Sequence, residues 1–183
     1  MGRQKSVAKK RAQFSHAESH FKLDGIIPLT PNQEKTFKEY SEDNHLFLHG
    51  VAGTGKTYIS CYLAMTELMQ PRPAYKNLTL VRSVVPTRDI GFLPGNEDEK
   101  AEVYEAPYKS IFNELFRRGD AYTLLRKKSV VDFKTTSYIR GMTLNDTIVI
   151  VDECQNLSFH ELDSVITRIG DNCKIIFCGD FRQ

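Results

Sequence analysis

Gly50-Val51-Ala52-Gly53-Thr54-Gly55-Lys56-Thr57 is the stretch on which the reading of the whole chain turns. It satisfies G-x-x-x-x-G-K-[ST], a loop whose glycines let backbone N–H groups come close to phosphate oxygens. The pattern carries meaning only between a strand and a helix. Residues 45–49 form a short apolar strand that runs straight into Gly50, and about 14 residues from Lys56 have helical character. Gly50, Gly53, Thr54 and Gly55 then cradle the phosphates, and the helix N-terminus adds its positive field. Lys56 is placed to reach β- and γ-phosphates, and Thr57 to offer a hydroxyl to Mg²⁺.

Outward from this loop the chain alternates strand-like and helix-like segments. Upstream, Thr30 and Pro31 are the N-cap and first position of a helix reaching Tyr40. Downstream, Pro71-Arg72-Pro73 breaks the chain before a strand at 78–82. Residues 91–128 read as a helical insertion, opened by Gly91-Phe92-Leu93-Pro94-Gly95 and carrying an acidic run over 97–102. Residues 148–151 and 174–178 are unbroken apolar runs, the mark of buried parallel strands, with a helix at 158–169 between them. Such alternation predicts an α/β fold, a mostly parallel sheet with helices on both faces.

Two strand ends carry polar chemistry. Ile148-Val149-Ile150-Val151 is followed by Asp152 and Glu153. Asp152 is placed to hold the Mg²⁺ shell, and Glu153 to orient and deprotonate an attacking water. Acids after a strand also serve as caps or loop residues, and it is the pairing with the phosphate loop that favours the catalytic reading. The 174–178 strand leads into Gly179-Asp180-Phe181-Arg182-Gln183, where Asp180 or Gln183 would sense the γ-phosphate, a polar turn being the alternative.

With 183 residues, 40% of them apolar and 26% charged, the chain suits one soluble domain with one core. No apolar run approaches the roughly 20 residues of a membrane span. Cysteines 61, 154, 173 and 178 lie in or beside apolar runs without metal-site spacing, so they read as reduced packing thiols. His16 and His20 are one helical turn apart, but no third ligand stands near them. Arg3, Lys5, Lys9, Lys10, Arg11 and Lys22 face a single acid, Glu18, in residues 1–22, a net charge of +5, whereas the remainder carries −3. The basic tail, drawn at 1–25, is suited to phosphate contacts or to solubility. The domain proper is drawn at 26–183, and the chain reads as cytoplasmic.

Taken together and in order, the following segments resemble the PhoH family: residues 29–33, 50–57, 91–95, Tyr138-Ile139-Arg140-Gly141, Asp152-Glu153-Cys154-Gln155-Asn156, and Gly179 to Gln183. The resemblance covers about residues 28–183, and Val81-Arg82-Ser83-Val84-Val85-Pro86 with the basic leader is closest to short phage-borne members, which work in host cytoplasm. It implies a RecA-like P-loop NTPase related to superfamily 1 helicases, with Gln33 recognising adenine. It further implies ATP and Mg²⁺ as cofactors, Lys56, Glu153 and Gln183 as catalytic residues, and hydrolysis of ATP by the chain as an ATPase. Single-stranded RNA or DNA is the implied partner, with assembly into a homo-oligomeric ring.

Cys154 departs from the alanine common in the family, a change small enough to leave the chemistry alone. Family members continue past the Gly-Asp-x-x-Gln motif into a further strand and an arginine-bearing segment. The expectation is therefore a sheet without its C-terminal strand, the edge of the phosphate-loop strand left open, and slow hydrolysis by residues 1–183. Arg82, Arg88 and Arg140 are candidates for phosphate or nucleic-acid contact, ordinary surface arginines being the alternative. The competing function is a nucleotide-gated binding or assembly module that switches shape without translocation.

Overall fold

The computed structural model describes residues 21–83 and 97–182. Residues 1–20, Arg88, the Gly91 to Gly95 opening and Gln183 lie outside the described residues. In chain order come α1 (Pro31–Ser41), β1 (Leu46–His49), α2 (Lys56–Leu68), β2 (Asn77–Arg82), α3 (Glu97–Leu115) and α4 (Ala121–Lys127). They are followed by β3 (Val131–Thr135), the single turn α5 (Thr136–Ile139), β4 (Thr147–Asp152), a 3₁₀ turn at Cys154–Asn156, α6 (Phe159–Ile166) and β5 (Lys174–Gly179).

The strands form one parallel sheet in the order β1-β5-β4-β2-β3. Every residue of central β4 is buried, which is why its sequence is apolar without alternation. Successive side chains point to opposite faces and divide the core in two. Leu78, Leu80, Ile148, Ile150, Ile176 and Cys178 pack with α2, α3 and α4, whereas Val149, Val151 and Ile175 pack with Ile139, Leu144 and Val165 on the other face. Helices thus cover both faces, the layering of a RecA-like core. Trimming a fully buried member such as Ile150 to alanine costs about 2–5 kcal/mol.

Local sequence accounts for the element ends. Thr30 Oγ1 accepts from Gln33 N at 3.3 Å to cap α1, with Pro31 at the first helical position. Ser158 and Glu161 cap α6 reciprocally. That helix stops at Ile166 rather than at 169, because Ile169 turns away to form a parallel bridge with Leu144.

Two further differences from the sequence reading are physical. Phe21 is buried edge-on against Phe116, ring centroids 5.1 Å apart, and Asp24 N donates to Leu115 O at 3.0 Å. The packed chain therefore reaches at least as far back as Phe21, five residues before the drawn boundary at 26. Strand β3 was not foreseen. It lies at the far edge beside β2, with Val131, Phe133 and Thr135 buried while Asp132 and Lys134 pair with each other at 2.7 Å on the more open face. At the opposite edge β1 pairs with β5, and no strand among the described residues pairs its other side. No helix among the described residues is long and apolar enough to cross a membrane.

Candidate functional site

The carboxyl ends of β1, β4 and β5 lie side by side, as the register pairs His49 with Gly179 and carries β4 along β5. The loop after β1 depends on two left-handed residues, Gly53 at φ 76° and Gly55 at φ 79°, the latter also being the N-cap of α2. Nothing crowds a Cβ at Gly53, so the backbone conformation rather than space requires glycine there. Gly50 N donates to Gly179 O at 3.2 Å and fastens the loop to β5. Lys56 Nζ donates to Gly50 O at 2.7 Å and Val51 O at 2.9 Å, and Thr54 Oγ1 donates to Val51 O at 2.9 Å. The ammonium group thus lies across its own loop.

At the head of α2, Thr57 Oγ1 donates to Asp152 Oδ1 at 2.7 Å. Ninety-five positions separate the two in sequence, and the sheet brings them together. Asp152 is buried at 6% exposure, and its second oxygen, Oδ2, accepts from the hydroxyl of Tyr108 on α3 at 2.8 Å. A hydroxyl and a carboxylate are hard oxygen donors, the kind Mg²⁺ prefers. Among the described residues no group of three or more His, Cys, Asp or Glu is disposed to hold a metal. The pair therefore fits an ion that takes its remaining ligands from phosphate and water, as Mg²⁺ commonly does.

Glu153 follows at φ 50°, ψ 42°, a left-handed conformation that costs a non-glycine residue roughly 1–3 kcal/mol. Its Oε2 accepts from Gln155 Nε2 at 2.5 Å, and Gln155 Oε1 accepts from Asp180 N at 3.0 Å. Gln155, for which the sequence reading had no role, therefore bridges the acid after β4 to the turn after β5. Asp180 is buried, and its Oδ1 accepts from Arg182 N at 3.0 Å. A Cβ on Gly179 would come within 2.7 Å of Cys154 Sγ, so glycine is required where the two strand ends close together. Burial pushes the Cys154 thiol up to about 11 and Cys178 up to about 12, which keeps both protonated at neutral pH.

The remaining candidates stand apart. Gln33 is in the first turn of α1, its Oε1 accepting from Leu29 N at 2.6 Å, and no hydrogen bond among the described residues joins it to the loop. Arg82, at the end of β2, lies 5.9 Å from the centre of the Tyr104 ring. Arg140 is exposed after α5, beside Thr136, Ser137 and Glu161. Burial works to raise the Glu161 pKa, but hydrogen bonds from Thr136, the Ser158 backbone, Ser83 and the Ser158 hydroxyl outweigh it and hold the carboxyl at about 2. A recess of about 470 Å³ opens at the other, amino end of the sheet among Phe37, Tyr40, Glu67, Tyr75 and Lys174, away from this chemistry.

Comparison with known proteins agrees with this geometry. The family model for PhoH-like protein matches residues 25–183. Protein PhoH2 of Bacillus subtilis is 34% identical over 140 residues, 74% of this chain and 31% of that protein. Protein PhoH of Escherichia coli is 33% identical over 163 residues, 86% of this chain and 45% of that protein. The chain thus spans less than half the length of either relative. Among solved structures, the Sulfolobus solfataricus SWI2/SNF2 ATPase core in complex with dsDNA superposes with a TM-score of 0.53 at 12% identity, covering 87% of this chain and 33% of that one, a likeness of fold. With a phosphate loop fastened to the carboxyl end of a parallel sheet and a family match over nearly all the described residues, this chain belongs to the PhoH-like protein family.

Proposed function

We propose that this domain binds ATP with Mg²⁺ and hydrolyses it, with turnover coupled to RNA or single-stranded DNA. The observation that carries the proposal is the bond from Thr57 to Asp152, which joins the head of the phosphate loop to an acid whose sequence neighbour, Glu153, is held in a strained conformation. Mg²⁺ would supply charge neutralisation on the phosphates, held by Thr57 and Asp152. Lys56 exchanges its loop carbonyls for phosphate oxygens, and the amides around Gly53 and Gly55 bind the same group. Glu153 accepts a proton from the attacking water, and Gln155 fixes the direction of that carboxylate. Asp180 or Gln183 senses the γ-phosphate, and Gln33 recognises the adenine. The +5 charge of residues 1–22, with Arg82, Arg88 and Arg140, supports a polyanion as the partner. The family resemblance adds a homo-oligomeric ring, which light scattering with and without nucleotide would test.

Steady-state ATP turnover with RNA, with single-stranded DNA and with no polymer is the deciding experiment. Stimulation by either polymer, lost at high salt, is expected. Turnover that no polymer alters would favour a nucleotide-gated module, and absence of turnover at every condition would sink the enzymatic reading.

A further inference from the structure

We infer that Tyr108 is a positioning residue for the carboxylate that binds the metal, so that the insertion helix α3 sets the geometry of the Mg²⁺ site. This rests on the reading that Thr57 and Asp152 hold the ion. Both oxygens of Asp152 are committed, Oδ1 to Thr57 at 2.7 Å and Oδ2 to Tyr108 at 2.8 Å. A phenol facing a carboxylate donates, so the acid cannot swing without leaving a buried donor unpaired. The Tyr108 side chain is 0% exposed and its ring packs 5.7 Å from that of Phe133, in one core with Phe112 and Leu115. Its position is therefore dictated by packing, and the carboxylate is aligned to a rigid neighbour. One turn earlier on α3, Tyr104 lies against Arg82, the residue that pairs with Asp152 across β2 and β4. Two tyrosines of one helix grip two adjacent strand ends, and one of them terminates on the metal-binding acid.

Partners of this kind commonly change metal affinity by about 10- to 100-fold when removed. The test is a Mn²⁺ titration of the full chain with a non-hydrolysable ATP analogue, free Mn²⁺ being read by electron paramagnetic resonance. Tyr108→Phe is expected to weaken Mn²⁺ binding by about tenfold while leaving binding of the analogue in EDTA unchanged. Tyr104→Phe, on the same helix but without a bond to Asp152, should match the wild type. Equal Mn²⁺ affinity in Tyr108→Phe and wild type would overturn the inference, and so would equal loss in the two variants, which would mark a displaced helix. No Mn²⁺ uptake by the wild type would instead defeat the proposed function, and this inference with it. Should Tyr108→Phe fail to fold, 3-fluorotyrosine at position 108 keeps the volume and changes the donor strength, and an unaltered Mn²⁺ affinity would count against the role.

Discussion

The two ends of the sheet use lysine and aspartate in opposite ways. At the amino end Lys174 is almost wholly buried, its Nζ donating to Tyr40 O at 3.0 Å, pairing with Asp43 at 2.7 Å and lying 4.1 Å from the centre of the Tyr40 ring. Tyr75 donates to the same Asp43 at 3.1 Å, and burial with that charge pushes the phenol up to about 12. These groups close α1 and β1 onto β5. At the carboxyl end Lys56 is bonded to carbonyls of its own loop, Gly53, Gly55 and Glu153 have positive φ, and Gln155 bridges two turns. At the amino end the Lys174 ammonium, buried in the packed core, and the Asp43 carboxylate are held in fixed bonds. The other end holds its lysine on its own loop carbonyls, bonds that the proposed nucleotide would replace, and carries local strain at Glu153.

The sharpest way to break this contrast is at the carboxyl end. Lys56→Ala is expected to weaken nucleotide binding by about 100-fold or more, because charge-assisted phosphate contacts disappear. Glu153→Gln should retain binding and lose about 10²- to 10⁴-fold in hydrolysis, the worth of a general base. Neither change should move the unfolding midpoint appreciably. Fluorescent-nucleotide titration beside single-turnover hydrolysis checks both, and equal loss of binding in the two variants would remove Glu153 from the role of base.

At the amino end the expectation reverses. Lys174→Ala removes the ammonium from the buried Tyr40 carbonyl, which keeps the Asp43 N–H at 3.1 Å, strips Asp43 of its ion pair and opens a cavity beside the Tyr40 and Tyr75 rings, at about 2–4 kcal/mol of stability. Nucleotide affinity of the folded fraction should stay at the wild-type value. Urea unfolding with parallel nucleotide titration measures both, and a variant as stable as the wild type would show that Lys174 is not structural.

The same contrast explains what could be read in advance. The phosphate loop, the buried run of β4 and the acids after it were legible because a glycine pattern, an apolar run and a neighbouring pair of carboxylates are local signals. Strand β3 was missed although Val131-Asp132-Phe133-Lys134-Thr135 alternates with period two, since a five-residue edge strand with two charges offers little apolar content. Phe21 was hidden by the basic run before it, a case of one aromatic outweighing its neighbours once Phe116 is in place. Tyr108 had no signal at all. It is 44 positions from Asp152, and a tyrosine on a helix reads as core until the sheet shows which strand end it meets. Gln155 stands in the segment after β4, but its bridging role depends on the turn after β5, which is remote in sequence.

A smaller effect separates strain from chemistry within the carboxyl end. Glu153→Gly relaxes a left-handed residue and should raise stability by about 1 kcal/mol, while hydrolysis falls as far as in Glu153→Gln. A glycine variant less stable than the wild type in urea would mean that the bond to Gln155 contributes more than the strain costs.

An effect of similar size, but one that fades with falling pH, concerns Glu161, which lies between the two regimes, since it caps α6 yet gathers Ser83 from the end of β2 and Thr136 from α5. Its carboxyl is held at about 2 against an ordinary value of 4.5. A group with a lowered folded-state pKa contributes stability above its unfolded value and loses it as pH falls through the folded value. The contribution is therefore full above about 4.5 and declines towards 2. Glu161→Gln should lose about 1 kcal/mol at neutral pH, the usual worth of a cap. The melting difference between variant and wild type should then narrow as pH is lowered from 6 to 3. Melting curves across that range test it. A difference that stays constant with pH would mean that the amide replaces the carboxylate in every bond and that its charge adds nothing to the junction of β2, α5 and α6.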